Sequence, residues 1–371
     1  MAKIGIDCRL WGTGNTGIGR YTQELVENLQ KIDHENEYIL FCRQKDFEKI
    51  DIADWKKIVA DIPHYSFLEQ TALVQIFLRE NLDLLHTPHF NVPILYPKPY
   101  IITIHDILWH KSYGTHSYGT NVTNLSAPFY WGKYAAYRVA VKFAVKKARK
   151  IIVPSHAVEK DIVGFFPKAK NKICVTYEGV SDLAKGGVIK NKAPYILYVG
   201  NLYPHKNIEM LVRALACYHI LERGNKLIIA CGRSIFLNKF QQFLGKEGVT
   251  DFVEVKSTVS DKELAGLYKN AQAFVFPTLS EGFGLPGLEA MSCETPVVCS
   301  DIPVLREIYG NAALYFNPRD PRDIAEKVQK VLEDKATRMN LVRAGGIQIK
   351  KYSWRKMAQQ TLNVYKEVLG Q

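Results

Sequence analysis

Two doubly wound α/β domains of similar size are the architecture this sequence predicts, on three observations. Short, apolar, β-rich runs recur along the whole chain. Segments of helical periodicity separate most of them. The length, 371 residues, suits two domains. Strands alternating with helices build βαβ units and parallel sheets, and the near-continuous apolar character of the runs fits sheets covered on both faces.

In order, the first half offers KIGIDCRL, EYILFC, DLLHTP, YIITIHD, KIIVPS and KICVTY as strands, and the second YILYVGN, KLIIACG, FVEVK, AFVFPT, PVVCSD and ALYFN. RYTQELVENLQKI, IEMLVRALACYHIL and DKELAGLYKNA carry helical spacing. The stretch SDLAKGGVIKNKAP, residues 181–194, has little periodicity and is the expected linker, with the first domain over 1–180 and the second from 195. Ligands of open α/β sheets bind beyond the carboxyl ends of the strands, so two such domains would be expected to face a shared cleft.

Composition excludes several classes. Hydrophobic residues make up 47% and charged residues 23%, as in an ordinary globular protein. Seven scattered Cys without a C-x-x-C pair do not make a disulfide scaffold and predict reduced thiols. No apolar run has the length of a membrane span, and MAKIGIDCRLW reads as a first strand, so a cytoplasmic protein is expected. The net charge of +12 is uneven: residues 1–97 carry 10 Lys/Arg against 14 Asp/Glu (−4), 98–178 carry 13 against 4 (+9), and 179–371 carry 26 against 19 (+7). Its densest stretch, 134–150, places Arg138, Lys142, Lys146 and Arg149 at helical spacing, with Lys147 and Lys150 beside them. This is either a solvated helix face or a surface for anionic lipid headgroups at the inner face of a membrane or for a phosphate-bearing acceptor. Nucleic acid is not expected, because no zinc-finger, helix-turn-helix or RNA-reading signature is present.

Two stretches carry chemistry. GTGNTGIG, residues 12–19, follows the first strand and precedes a helix expected from about Arg20; Gly17 and Gly19 let backbone approach an anion beside free helix N–H groups. A tight turn, a phosphorylated dinucleotide site and a general phosphate or sugar contact all stay open, since strand two ends in Arg43 where a dinucleotide site wants an acid. The second stretch, FVFPTLSEGFGLPGLEAMSCETPVVCSD, spans 274–301. Glu281 sits in a loop between a strand and a helix that Pro286 suits as first residue, and Glu289 falls near the end of that helix's first turn. Gly282, Phe283, Gly284 and Leu285 can offer backbone N–H groups. Carboxylates accept hydrogen bonds from sugar hydroxyls and helix N-termini hold phosphates, which is the chemistry of a nucleotide diphosphate-sugar. A solvated loop acid and a helix-dipole residue remain the alternative.

The run S-E-G-F-G-L-P-x-L-E-A resembles the E-x7-E signature of retaining glycosyltransferases of the GT-B fold, family 4, with Glu281 and Glu289 as the two acids. V-G-N-L-Y-P-H-K-N at 199–207 resembles that family's phosphate-binding loop, V-P-S-H-A at 153–157 the end of its first domain, and T-I-H-D at 103–106 the strand end that carries its histidine. K-Y-S-W-R-K-M-A-Q-Q-T-L-N-V-Y at 351–365 resembles its terminal helix, which crosses back to the first domain and so assigns 354–371 there and 195–353 to the nucleotide-sugar domain. Within that family the chain resembles the bacterial, mannosyltransferase-like branch that builds surface polysaccharide.

The resemblance implies that Glu281, with the amides of Gly282, Phe283 and Gly284, meets the transferred sugar. It implies that Glu289 binds the ribose, Lys206 the diphosphate, and His105 the donor sugar's hydroxymethyl end. It also implies a metal-independent reaction with no cofactor, GDP-mannose as preferred donor, and a glycan or lipid-linked glycan as acceptor. A UDP-sugar donor, and a weakly active nucleotide-sugar-binding subunit, are the alternatives. Asn201 departs from the pattern, since the family often carries Arg there; Arg20 or Arg233 could supply the missing cation. Asp106 would orient His105 or meet the acceptor, and Tyr130 and Trp131, in an aromatic, loop-like stretch over 117–137, are further acceptor-side candidates. His86, His89, His110 and His116 do not have the spacing of a tight metal site.

Overall fold

The structure, a computed structural model, describes the chain except residues 13, 15, 53, 112–126, 182–193, 233–234 and 258 and the side chains of 16 and 127–129. The described residues of 1–111, 127–179 and 353–371 form one compact unit, and those of 180–352 form a second.

The first unit is built on seven parallel strands: β1 (Lys3–Asp7), β2 (Glu37–Cys42), β3 (Lys56–Val59), β4 (Leu84–Thr87), β5 (Tyr100–Thr103), β6 (Ile151–Val153) and β7 (Ile173–Val175). Their order is β3-β2-β1-β4-β5-β6-β7. The second unit holds β8 (Tyr195–Val199), β9 (Lys226–Ala230), β10 (Val253–Lys256), β11 (Ala273–Phe276), β12 (Val297–Ser300) and β13 (Ala313–Phe316), in the order β10-β9-β8-β11-β12-β13. Six strands were expected in each half. The extra one, β3, is the edge strand KKIV, half-exposed and without an apolar run to mark it. Central strands such as β4, β5, β11 and β12 are buried at every residue, as the apolar runs require. All seven cysteines are free.

Each order reverses direction at one place, between β1 and β4 in the first unit and between β8 and β11 in the second. Loops leaving these neighbouring strands open a crevice at the carboxyl edge. The segment after β1 carries the glycine loop, and the helix expected from Arg20 starts earlier, as Thr16–Ile32. Gly17 and Gly19 therefore lie in its first turn, where backbone N–H groups have no partner within the helix.

The terminal helix Trp354–Leu369 packs on the helix Thr16–Ile32, so the chain's end belongs to the first unit. Tyr365 reaches His86 at 2.7 Å, and Lys366 pairs with Glu35 at 3.0 Å. The chain closes over Gly179, where an added Cβ would come 2.2 Å from the Trp354 nitrogen. Gly179→Ala is expected to lower the melting temperature because backbone cannot yield there, and an unchanged melting curve would remove this crossing from the fold's requirements.

Candidate functional site

In the second unit the loops after β8 and β11 meet at the switch point. The β8 loop passes Gly200 and Asn201 and ends in the 3-10 turn Pro204–Lys206. Asn207 follows at φ +59°, a left-handed conformation asparagine tolerates. Its amide donates to the carbonyls of Pro277 (3.1 Å) and Pro318 (2.8 Å), fixing one loop to the other. The carbonyl of His205 accepts from the Leu279 nitrogen at 2.8 Å, a second tie. This scaffold brings Lys206 Nζ to 2.5 Å from Glu281 Oε1, with side chains 15% and 12% exposed. A cation and a carboxylate thus face each other at the mouth of a parallel-sheet crevice. Burial, then the neighbouring Lys206 charge, pushes His205 down to about 3, so its ring is neutral beside that cation.

Glu281 precedes a tight entry into the helix Leu285–Ser292, which opens at Leu285, one residue before Pro286. Gly284 caps the helix at φ +97°, and a Cβ there would lie 2.6 Å from the Tyr309 hydroxyl. That hydroxyl donates to the Gly284 carbonyl at 2.5 Å, locking the turn. The Phe283 ring is buried edge-on against Tyr352 with centroids 5.5 Å apart. Glu289 is deeper than its place near the helix start suggested. It is 7% exposed and accepts from the Tyr268 hydroxyl at 3.1 Å. Asn201 carries no charge to the site. Its Oδ1 accepts from the Tyr203 nitrogen and its carbonyl from the Tyr198 hydroxyl, so it shapes the loop.

Residues 15–182 match the family described as Glycosyltransferase Family 4, and 181–346 match Glycosyl transferases group 1. The chain is 29% identical to an O-antigen chain mannosyltransferase of Salmonella typhimurium, over 89% of this chain and 91% of that one. It is 27% identical to O-antigen chain mannosyltransferase B of Escherichia coli, over 95% and 96%. The chain belongs to the family 4 glycosyltransferases. A sucrose-phosphate synthase from Thermosynechococcus elongatus shares the fold of this glycosyltransferase, with a TM-score of 0.79 at 19% identity over the full length of both, and the architecture is GT-B.

In the first unit of the glycosyltransferase, His105 and Asp106 follow β5, but they do not pair with each other. Asp106 accepts from the Leu108 nitrogen at 3.0 Å, a turn contact, and is exposed. The carboxylate on His105 is Glu178, beyond β7, at 3.1 Å from Nδ1. No sequence signal pointed to Glu178, which is 73 residues away. Tyr130 and Trp131 lie on the helix Ala127–Lys147, not in a loop; Tyr130 is buried and Trp131 is 50% exposed. Residues 117–126 of the aromatic stretch, with His116 and Arg233, lie outside the described residues, as do the side chains of 127–129. His86 bonds Tyr365 and Thr103, His110 bonds Tyr137, and His89 accepts from the Asn91 nitrogen. Among the described residues, no three His, Cys, Asp or Glu converge to hold a metal.

On the helix Ala127–Lys147, Tyr134, Tyr137, Val141, Ala144 and Val145 are buried. Arg138, Lys142 and Lys146 form an exposed row, and beside it Trp131, Val139 and Phe143 form an exposed apolar row. Lys147 instead donates to the Ile94 carbonyl, and Lys150, past the helix end, pairs with Glu367. Among the described residues no helix is long and apolar enough to cross a membrane.

Proposed function

We propose that this glycosyltransferase moves a hexose, mannose from GDP-mannose, with retention, onto a glycan or lipid-linked glycan in surface polysaccharide synthesis. The observation that carries the chemistry is the Lys206–Glu281 pair at the switch point of the second unit. As the glycosidic bond breaks, negative charge grows on the leaving diphosphate. A fixed ammonium then stabilises the transition state more than the ground state. Glu281, released from Lys206 by the incoming phosphates, accepts hydrogen bonds from sugar hydroxyls, and the amides of Gly282, Phe283 and Gly284 lie beside it. Glu289, near the first turn of its helix, takes the ribose. The departing phosphate receives the acceptor's proton on the same face of the sugar, so no protein nucleophile and no general base is assigned. The proposal gives no role to a metal or cofactor, because Lys206 carries the charge. The likeness to two mannosyltransferases along nearly the whole chain supports the sugar.

Thermal shift against GDP, UDP, ADP and their sugar conjugates tests the donor, since a ligand that binds the folded state raises its midpoint by mass action. Stabilisation by GDP and GDP-mannose alone is expected. Stabilisation by UDP ligands instead would replace the donor, and stabilisation by none would sink the nucleotide-sugar reading.

The two rows on the helix Ala127–Lys147 support a peripheral site at the inner face of the cytoplasmic membrane, basic groups meeting anionic headgroups and Trp131 the interface. Replacing Arg138, Lys142 and Lys146 together by Gln is expected to weaken sedimentation with phosphatidylserine-containing vesicles, most strongly at low ionic strength. Equal binding of both proteins at low salt would return the helix to a solvated face.

A further inference from the structure

His105 and Glu178 form a dyad at the carboxyl edge of the seven-stranded sheet, one following β5 and the other β7. Nδ1 of His105 lies 3.1 Å from Glu178 Oε1, and Nε2 lies 3.3 Å from the Pro88 carbonyl oxygen. The side chains are 12% and 5% exposed. A carboxylate and a backbone carbonyl are both acceptors, and a neutral imidazole has only one N–H to give. Only the doubly protonated ring donates to both. A carboxylate buried as deeply as Glu178 also needs a cation within reach, and His105 is the group paired with it.

We propose that Glu178 is a positioning residue that holds His105 as an imidazolium, clamped between its carboxylate and the Pro88 carbonyl. The Tyr21 ring stands edge-on to His105 at 4.7 Å, and its hydroxyl is engaged with Thr103. Burial pushes His86 and His89 down to about 3, so both rings are neutral. With both N–H groups engaged, His105 is then a fixed positive group, suited to attract a phosphoryl oxygen of a nucleotide-sugar through its charge rather than to donate a hydrogen bond or accept a proton. That use rests on the proposed function; the protonation itself does not.

The test is a long-range proton–nitrogen correlation spectrum of the full chain with 15N-labelled histidine at pH 7.5, His105 being assigned by the signals lost in His105→Asn. Both ring nitrogens of His105 are expected in the protonated range. In Glu178→Gln one of them should move to the unprotonated range while near-UV circular dichroism stays that of the wild type, and donor turnover should fall. One unprotonated nitrogen in the wild-type spectrum overturns the proposal, and so does double protonation that persists in Glu178→Gln. Should Glu178→Gln not fold, the wild-type spectrum alone decides. The spectrum needs no substrate, so a failed donor assignment and a failed dyad are told apart.

Discussion

Lys206→Ala is expected to lower transfer by about 10²–10³-fold, the scale on which losing one preorganised charge-stabilising group is felt, while the chain stays folded. The second half of that expectation follows from how the turn is held. Its shape depends on Asn207, whose side chain spans to Pro277 and Pro318, and on the Asn207 nitrogen bonding the Pro204 carbonyl. None of these contacts uses the lysine side chain. Glu281, left without its partner, is 12% exposed and can turn to water. Glu281→Gln separates the two roles. In the unliganded enzyme Glu281 and an incoming diphosphate compete for the same ammonium, so this variant should bind the bare nucleoside diphosphate more tightly and still transfer more slowly. Calorimetry and a transfer assay on the two folded variants check this. Wild-type rates in both would remove the pair from the reaction, and unchanged diphosphate affinity in Glu281→Gln would refute the competition.

Much of this architecture was legible because parallel strands buried on both faces must be apolar throughout. AFVF and VVCS announce themselves for that reason. KKIV does not, since an edge strand can expose half its side chains. The early start of the helix Thr16–Ile32 was hidden by glycines that read as loop, although the first turn of a helix tolerates them when its N–H groups serve elsewhere. Local spacing showed where Glu281 and Glu289 sit along the chain. It could not show that Tyr268, from another helix, would cover Glu289. Glu178 was illegible for the same reason: its partner His105 is set by the order of β5, β6 and β7, which is a property of the sheet and not of either segment. Asp106, the obvious neighbour in sequence, is turned away by its own backbone bond to Leu108.

Arg9→Met should cost about 3–5 kcal/mol, the scale of removing one member of a buried charge network, a drop in midpoint on the order of 10 °C. Arg9 follows β1 and is wholly buried. It donates to both oxygens of Asp7 (2.7–3.1 Å), to Glu69 Oε1 at 2.8 Å and to the Ile62 carbonyl at 3.1 Å. Glu69 Oε2 also accepts from the Tyr65 nitrogen and the Asn91 amide, so these two carboxylates are fully bonded around one guanidinium. Without Arg9 they stand buried and like-charged. The pH dependence fixes the sign. Burial drives the Asp7 carboxyl up, but Arg9 more than reverses this and leaves it below 3.8. Its stabilising contribution is therefore full above about pH 4 and is lost as pH falls through that lower value. The buried histidines act in the same direction in both proteins. His86 and His89, near 3, and His64, near 4, bind protons more readily when unfolded, so stability declines as pH falls below 6.5. In Arg9→Met the cation is gone and burial alone raises the Asp7 carboxyl, so acid protonates it in the folded state and relieves the variant. The stability gap between the two proteins should thus be widest at neutral pH and narrow toward pH 4, measured by denaturant unfolding across that range. A gap that stays constant with pH would mean that the loss came from packing of the long side chain rather than from its charge.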